Sequence, residues 1–191
     1  MKKYLYLVMK KKKMPKWLKW WYLKDTSRLP KEYQEVEYIE STGTQYIDTG
    51  IPSTRYITAN LDMQFTEQSS SSMIIIAWST GAGRWFGKGS FNTYSAGTDA
   101  VSDIDCLIRK EIEVTFTNSN ITFVIDGTTY SKTATSSQSN GYIMFAGRNV
   151  STGVSFYSKA KLYKATIQEN GSTIMDLVPC YRKIDNVVRT L

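Results

Sequence analysis

The strongest constraint on the fold of this chain is a series of short segments in which apolar and polar residues alternate. Clear cases occupy residues 35–39, 56–65, 108–117 and 121–125. A period of two places the apolar side chains on one face of a strand, so each segment predicts a half-buried strand. Further strands are predicted at residues 45–48, 73–79, 84–87, 91–95, 141–147, 155–168 and 173–178. The pattern predicts an all-β fold, a two-sheet antiparallel sandwich.

Turn residues separate these segments. The strongest turn signal is Asp126-Gly127, which lies between the apolar run ITFVI and the run TTYS. Both residues tolerate the positive φ of a tight primed turn, so a β-hairpin is predicted there. Glycine pairs and Asn-Gly dipeptides mark other connections, at residues 81–83, 140–141 and 170–171.

The chain contains no histidine. This excludes Ser-His-Asp and Cys-His catalysis and any His-ligated zinc site. The two cysteines, Cys106 and Cys180, are far apart in the sequence and form no CxxC motif, so they predict neither a thiolate metal site nor a dense disulfide scaffold. A single bridge between them is left open.

Charge divides the chain into two parts. Residues 1–31 hold eleven Lys and Arg against one acid, whereas residues 32–191 hold thirteen against sixteen, which gives local charges of +10 and −3. We therefore predict a basic, aromatic-rich arm at residues 1–28 and a β-domain at residues 29–191. The residues expected to anchor the arm are its central lysines and tryptophans, Lys10, Lys11, Lys12, Lys13, Trp17, Trp20 and Trp21.

The arm has the chemistry of a docking segment. Its apolar stretch, residues 4–9, is shorter than the roughly 7–15 residues of a signal h-region and no small-residue cleavage site follows, so no export signal is expected. No run approaches the ~20 apolar residues of a membrane span. Lysines and tryptophans suit an acidic protein surface, nucleic acid or an anionic membrane, and we favour the protein surface.

Two motifs bracket the β-domain. The opening LPKEYQEVEYIESTGTQYIDTGI, residues 29–51, resembles the start of concanavalin A-like, laminin-G-like jelly-roll domains of bacteriophage structural proteins and gut-bacterial surface proteins. The closing KLYKATIQENGSTIMDLVPCYRK, residues 161–183, resembles the last long hairpin of that family, and IMFAGRN, residues 143–149, fits between them. The resemblance implies a jelly roll of two curved antiparallel sheets.

The resemblance breaks down after the final hairpin, where relatives continue with a glycine-rich hairpin and this chain does not. An edge strand is therefore expected to be absent or to be supplied by a neighbour, which suits a component of a multi-copy assembly. We predict a non-catalytic structural protein of a phage virion, namely a capsid-decoration, head-fibre or tail-associated protein. It is expected to be assembled in the host cytoplasm and to contact other virion proteins through the arm. The alternative is a carbohydrate-binding adhesin on the surface of a gut bacterium.

Catalysis is not expected, although some relatives are glycoside hydrolases. Closely spaced acids occur at Glu35 and Glu37 and at Glu111 and Glu113, but none has the ExDxE spacing of those hydrolases. Each pair alternates with apolar residues, which is typical of the solvent face of a half-buried strand.

Glycan binding in such sandwiches usually needs an exposed aromatic platform. The candidates lie on both sides of the glycine-rich loop at residues 81–83, namely Trp78, Arg84, Trp85, Phe86 and Tyr94. Trp78 follows a continuous apolar run and is more typical of a core residue. No cofactor and no metal site is predicted from the residues, and calcium is suggested by the family resemblance alone.

Overall fold

A computed structural model describes residues 4–8, 29–67, 73–79, 84–88, 94–96, 99–101, 104–117, 119–133, 141–149 and 153–182. Over these ranges all regular structure is β-strand, which confirms the predicted fold class. The same ranges contain no helix with the length and apolar character needed to cross a membrane. The anchor candidates from Lys10 to Trp21 lie outside the described residues.

The described strands, in chain order, are β1 (Tyr4–Val8), β2 (Tyr33–Glu35), β3 (Ile39–Thr42), β4 (Ile47–Asp48), β5 (Ile57–Phe65), β6 (Met73–Ser79), β7 (Arg84–Lys88), β8 (Tyr94–Ala96), β9 (Asp99–Val101), β10 (Lys110–Phe116), β11 (Asn120–Ile125), β12 (Thr128–Thr133), β13 (Ile143–Met144), β14 (Gly147–Asn149), β15 (Gly153–Ser155), β16 (Lys159–Glu169) and β17 (Ser172–Arg182).

The strands form two main antiparallel sheets. The larger sheet has the order β1-β17-β16-β5-β10-β11-β12, with β2 paired to β17 and β3 paired to β16. The smaller sheet has the order β4-β13-β6-β7-β8-β9, and β14 and β15 form a separate hairpin. Most neighbours in the larger sheet are far apart in sequence, so that sheet closes through long-range pairing. In the smaller sheet, β6, β7, β8 and β9 follow one another as a meander, and only the pairs of β13 with β4 and β6 are distant.

Alternation along the strands creates the core. In β5 the buried residues Ile57, Ala59, Leu61, Met63 and Phe65 alternate with half-buried polar ones. β10 and β11 repeat this pattern, and their inward residues pack against the smaller sheet. Between the sheets, the ring of Phe123 on β11 lies 5.0 Å from that of Phe86 on β7. Burial of these apolar faces between two sheets holds the sandwich together.

The Asp126-Gly127 hairpin is confirmed. These two residues connect β11 to β12, and their φ angles are 51° and 78°. Both angles are those of a type I′ turn, whose twist matches that of the flanking strands. The turn also brings Asp126 to the end of a groove described below.

The outer edge of the larger sheet is covered by the chain itself. Tyr4–Val8 pairs antiparallel with β17, from Tyr4 opposite Cys180 to Val8 opposite Asp176. The edge strand expected to be absent, or supplied by a neighbour, is therefore provided by a segment assigned to the arm. Cys106 and Cys180 are both buried thiols and are not bonded to each other.

Candidate functional site

A groove of about 300 Å³ lies on the outer face of the larger sheet. It runs across β16, β5, β10 and β11 and ends at the β11–β12 turn. Carboxylate, amide, hydroxyl and ammonium groups line it together with a few apolar side chains. The lining residues are Asn60, Leu61, Asp62, Glu111, Ile112, Glu113, Val124, Asp126, Gly127, Lys164 and Thr166.

Strand register assembles this polar lining. One cross-strand row places Lys164 opposite Asp62 and Asp62 opposite Glu111. Directly opposite residues share one face of a sheet, with Cβ atoms about 4.5–5.5 Å apart. The next row in the same direction aligns four more outward residues, Thr166, Asn60, Glu113 and Val124. Four strands that are distant in sequence thus present one continuous polar surface.

Two of the four carboxylates in the groove are neutralised by cations. The guanidinium of Arg109 donates to both oxygens of Asp62, from Nε at 2.7 Å and from Nη2 at 2.6 Å. These hydrogen bonds raise the pKa of Arg109. Lys110 donates from Nζ to Asp126 at the other end of the groove. The bidentate pair offsets the repulsion between Asp62 and the opposite carboxylate of Glu111.

The other charged groups of the groove are available to a ligand. Glu111, Glu113 and Lys164 are exposed, and within the described part of the chain none of them takes part in an ion pair. Carboxylates accept hydrogen bonds from hydroxyl groups, while the Asn60 amide and the Thr166 hydroxyl both donate and accept. This set of groups matches a polyhydroxylated ligand.

The rings of Tyr163 and Tyr38 lie beside the groove and are called its aromatic shoulder. A bulge in β16 between Leu162 and Lys164 leaves Tyr163 as an extra residue. The Tyr163 hydroxyl donates to Gln64 at 2.9 Å, and the Arg109 guanidinium stacks 3.7 Å from the centre of its ring. The ring of Tyr38 lies 5.5 Å from that of Tyr163. The bulge therefore aims an aromatic ring at the polar face.

The glycan-binding residues predicted from the sequence lie elsewhere, in or on the smaller sheet. Trp78, Arg84, Phe86 and Tyr94 are all buried, with exposed fractions of 6%, 0%, 0% and 0%. Trp85 is half-buried on the face opposite to Phe86, because neighbours in a strand alternate. The exposed aromatic platform expected from these five residues is therefore not formed, because four of them belong to the interior.

Arg84 is the most unusual of these buried side chains. Its guanidinium stacks 4.3 Å from the centre of the Trp78 ring and donates to the carbonyl oxygen of Thr117. Among the described residues, its Nε and Nη2 atoms have no hydrogen-bond partner. Burial lowers the pKa of Arg84. The sequence does not distinguish this buried arginine from a surface one, because Arg84 lies between Gly83 and Trp85, neighbours that are also common around exposed arginines.

A second group of enclosed polar side chains lies near Tyr94. Burial raises the pKa of the Cys106 thiol to about 12 and lowers the pKa of Lys88. Both residues are fully buried. A thiol held in its neutral form is a poor nucleophile, so Cys106 is a core residue rather than a reactive one.

The predicted solvent-facing positions of Glu111 and Glu113 are confirmed. Asn60, Asp62 and Thr166 are not predictable as site residues, because their role depends on strand register, which a single sequence does not reveal. Across the described residues, no three His, Cys, Asp or Glu side chains are placed to hold a metal ion.

No protein-family model and no curated protein matches this chain. Among solved structures it is similar to a mutant of Trypanosoma rangeli sialidase displaying trans-sialidase activity, with a TM-score of 0.44 and 9% sequence identity. The match covers 80% of this chain and 28% of the sialidase chain, so the present sequence spans less than a third of that protein. A similarity of this size assigns no activity to the chain.

Proposed function

We propose that this chain is a non-catalytic structural protein of a phage virion, anchored by its basic arm, whose β-sandwich binds glycans of a host or mucus surface. Glycans bind in the groove on the outer face of the larger sheet. The observation that carries the glycan part is the groove itself, where acceptors, an amide and a hydroxyl converge beside an aromatic shoulder.

The size and chemistry of the groove support recognition of a short glycan. Its volume of about 300 Å³ lies at the lower end of small-molecule sites. Glu111, Glu113 and Thr166 offer hydrogen bonds to sugar hydroxyls, and Val124 gives an apolar contact for the face of a ring. The free polar groups point outward, so they bind without a large rearrangement of the sheet.

The arrangement of carboxylates favours binding over hydrolysis. Glycosidases use two carboxyl groups in different environments, one of them desolvated so that it stays protonated. Asp62 and Asp126 are held by cations in ion pairs. Glu111 and Glu113 are both exposed on one strand, so neither has the desolvated surroundings of a general acid.

The anchoring part of the proposal rests on charge and on the family resemblance of the two bracketing motifs. A segment of charge +10 with three tryptophans in five residues suits an acidic protein surface. The body, with a charge of −3, would gain nothing from the same surface, so the arm and the sandwich have separate roles.

Glycan binding is tested with the full chain on a glycan array, followed by calorimetric titration of the oligosaccharides that bind. Glu113→Gln and Thr166→Val are expected to weaken binding at least about tenfold, the loss of one or two hydrogen bonds to a ligand. Glu32→Gln, an exposed glutamate outside the groove, is the matched control. Unchanged affinity in both groove variants would place the site elsewhere, and Trp85→Ala then becomes the variant to measure.

Anchoring is tested by co-sedimentation of the full chain with purified phage particles. A variant with Trp17, Trp20 and Trp21 changed to alanine is expected to stay in the supernatant while its glycan binding is unchanged. Equal sedimentation of both chains would contradict the anchoring role. A chain that binds glycans but no particle would instead favour the adhesin alternative.

A further inference from the structure

The outer edge of β17 is an uninterrupted template for an added strand. Pro179 lacks an N–H group, but its carbonyl oxygen accepts a hydrogen bond at 2.9 Å from Val36, on the inner side of the strand. Because successive residues direct their backbone groups to opposite sides, the outer edge is formed by Asp176, Val178 and Cys180. None of these is a proline, so the edge keeps all its donors and acceptors.

Within the described ranges, the strand that occupies this edge pairs with β17 and with no other strand. Tyr4–Val8 pairs over five residues with β17, and it has no second strand partner among the described residues. Its removal would open one ladder at the margin of the sheet and leave the pairing of β17 with β16 and β2 intact. A strand bound in this way can leave without unfolding the sandwich.

The connection from β1 to the rest of the domain is long. Residues 9–32 separate Val8 from Tyr33, and 24 residues span up to about 80 Å when extended. A domain of this length has a radius of gyration of about 16 Å. The connection is therefore long enough for Tyr4–Val8 to reach the β17 edge of a neighbouring copy.

Charge is compatible with contact between the connection of one copy and the body of another. The connection carries nine Lys and Arg against two acids, whereas residues 32–191 carry a charge of −3. A basic segment that leaves one copy is attracted to the acidic body of another. The same segment from a second copy fits this edge in the register that the chain's own segment adopts.

From these observations we infer that the β17 edge is a strand-exchange site, where Tyr4–Val8 of one copy replaces the equivalent strand of another and links copies of the chain. Exchange reproduces the same ladder in the same register, so no new interface has to form. The inference goes beyond the proposed function, because its partner is a second copy of the chain and not the particle surface, and it is independent of the glycan groove.

Disulfide trapping tests the exchange. The donor is the full chain with Tyr4→Cys and Cys180→Ser, and the acceptor is the ¹⁵N-labelled, unchanged chain. Tyr4 lies directly opposite Cys180 in the ladder, at a spacing that a disulfide can bridge. A mixed disulfide between the introduced thiol and Cys180 of the labelled chain, identified by mass spectrometry, requires the donor strand to sit on the acceptor edge.

We expect the mixed disulfide to form and to increase with protein concentration. A register control, Tyr6→Cys with Cys180→Ser, should yield at least about tenfold less, since Tyr6 lies opposite Val178 and is too far from Cys180 for a disulfide. A third chain, Tyr4→Cys with Cys180 retained, reports pairing within one copy.

Each remaining outcome overturns the inference in a distinct way. An intrachain disulfide in the third chain, with no mixed disulfide at any concentration, means that the strand stays on its own copy. The absence of both disulfides means that the edge pairing itself is incorrect. Neither result affects glycan binding, so failure of the exchange is distinguishable from failure of the groove.

Discussion

Phe86 and Trp85 are neighbours in β7 whose side chains lie on opposite faces of the smaller sheet. Phe86 is fully buried between the sheets, 5.0 Å from the ring of Phe123 and 5.7 Å from the nearly parallel ring of Tyr94. Truncation of a buried phenylalanine to alanine costs about 3–5 kcal/mol. The two ring contacts place Phe86→Ala in the upper half of this range.

Trp85→Ala removes a larger side chain from a half-buried position on the outer face. We expect a loss of about 1 kcal/mol, typical of a substitution that leaves no internal cavity. For a chain of this length, each kcal/mol corresponds to about 2–4 °C in Tm. The expected decreases in Tm are therefore about 8–20 °C for Phe86→Ala and about 2–4 °C for Trp85→Ala.

The assay is urea unfolding followed by circular dichroism, which does not depend on tryptophan emission. The midpoint should fall strongly for Phe86→Ala with an unchanged m-value. Phe86→Leu is expected to cost less than about 1.5 kcal/mol, which keeps the comparison measurable if the alanine variant does not fold. Equal losses for Trp85→Ala and Phe86→Ala would refute the assigned alternation of faces in β7.

Further tests concern two glycines, the Arg148–Asp48 ion pair and the buried thiol of Cys106. Gly87→Ala should destabilise the fold by about 1–3 kcal/mol or more in the same assay, because a Cβ at this position would lie 2.1 Å from a backbone oxygen of β6. A Cβ at Gly171 would meet no described atom within 4 Å, so Gly171→Ala should cost only the ~1–2 kcal/mol that its positive φ imposes. A hydrogen bond from Arg148 lowers the pKa of Asp48, so Arg148→Met should raise that pKa in a carboxyl NMR titration. In the unchanged chain, the pair stabilises the fold above about pH 4, and this stability should be lost as the pH falls through the lowered pKa. Burial raises the pKa of Cys106 to about 12, so the folded chain should keep this thiol neutral while the unfolded chain loses the proton above about pH 9. The free energy of unfolding should therefore fall as the pH rises above about 9, and Cys106→Ala should lessen that fall. An equal dependence of the unfolding free energy on pH in both chains would contradict this.

The all-β class and the main hairpin could be predicted from the sequence because both depend on local patterns. Alternation in residues 56–65 and 108–117 marked β5 and β10, and Asp126-Gly127 marked the turn after β11. A period of two and a demand for positive φ are properties of a few adjacent residues, so they need no knowledge of the partner strand.

The candidate site could not be predicted in the same way. Asp62, Glu111 and Lys164 come together only because β16, β5 and β10 pair in one register, with a bulge that turns Tyr163 outward. The residues on both sides of the glycine-rich segment at 81–83 are predicted as a glycan site because such sandwiches usually bind glycans on an exposed aromatic platform. Burial of Phe86 and Tyr94 instead followed from the second sheet that packs over them.

The pairing of the edge strand β1 with β17 could not be predicted from the sequence either. The apolar run at residues 4–9 is predicted to belong to a docking arm because of the basic charge of residues 1–31. The pairing of Tyr4–Val8 with β17 depends on an edge more than 160 positions away. Distant pairing of this kind is set by the whole fold, so the composition of a terminus does not reveal it.

Glycan recognition by the outer face of the larger sheet is tested most directly by chemical-shift mapping on the ¹⁵N-labelled full chain. An oligosaccharide that binds on the array is titrated into the protein, and backbone shifts are followed residue by residue. We expect the largest shifts at Asn60, Glu111, Glu113 and Thr166, with little change at Trp85. Shifts centred on Trp85 and the smaller sheet, with an unchanged groove, would contradict glycan recognition by this face.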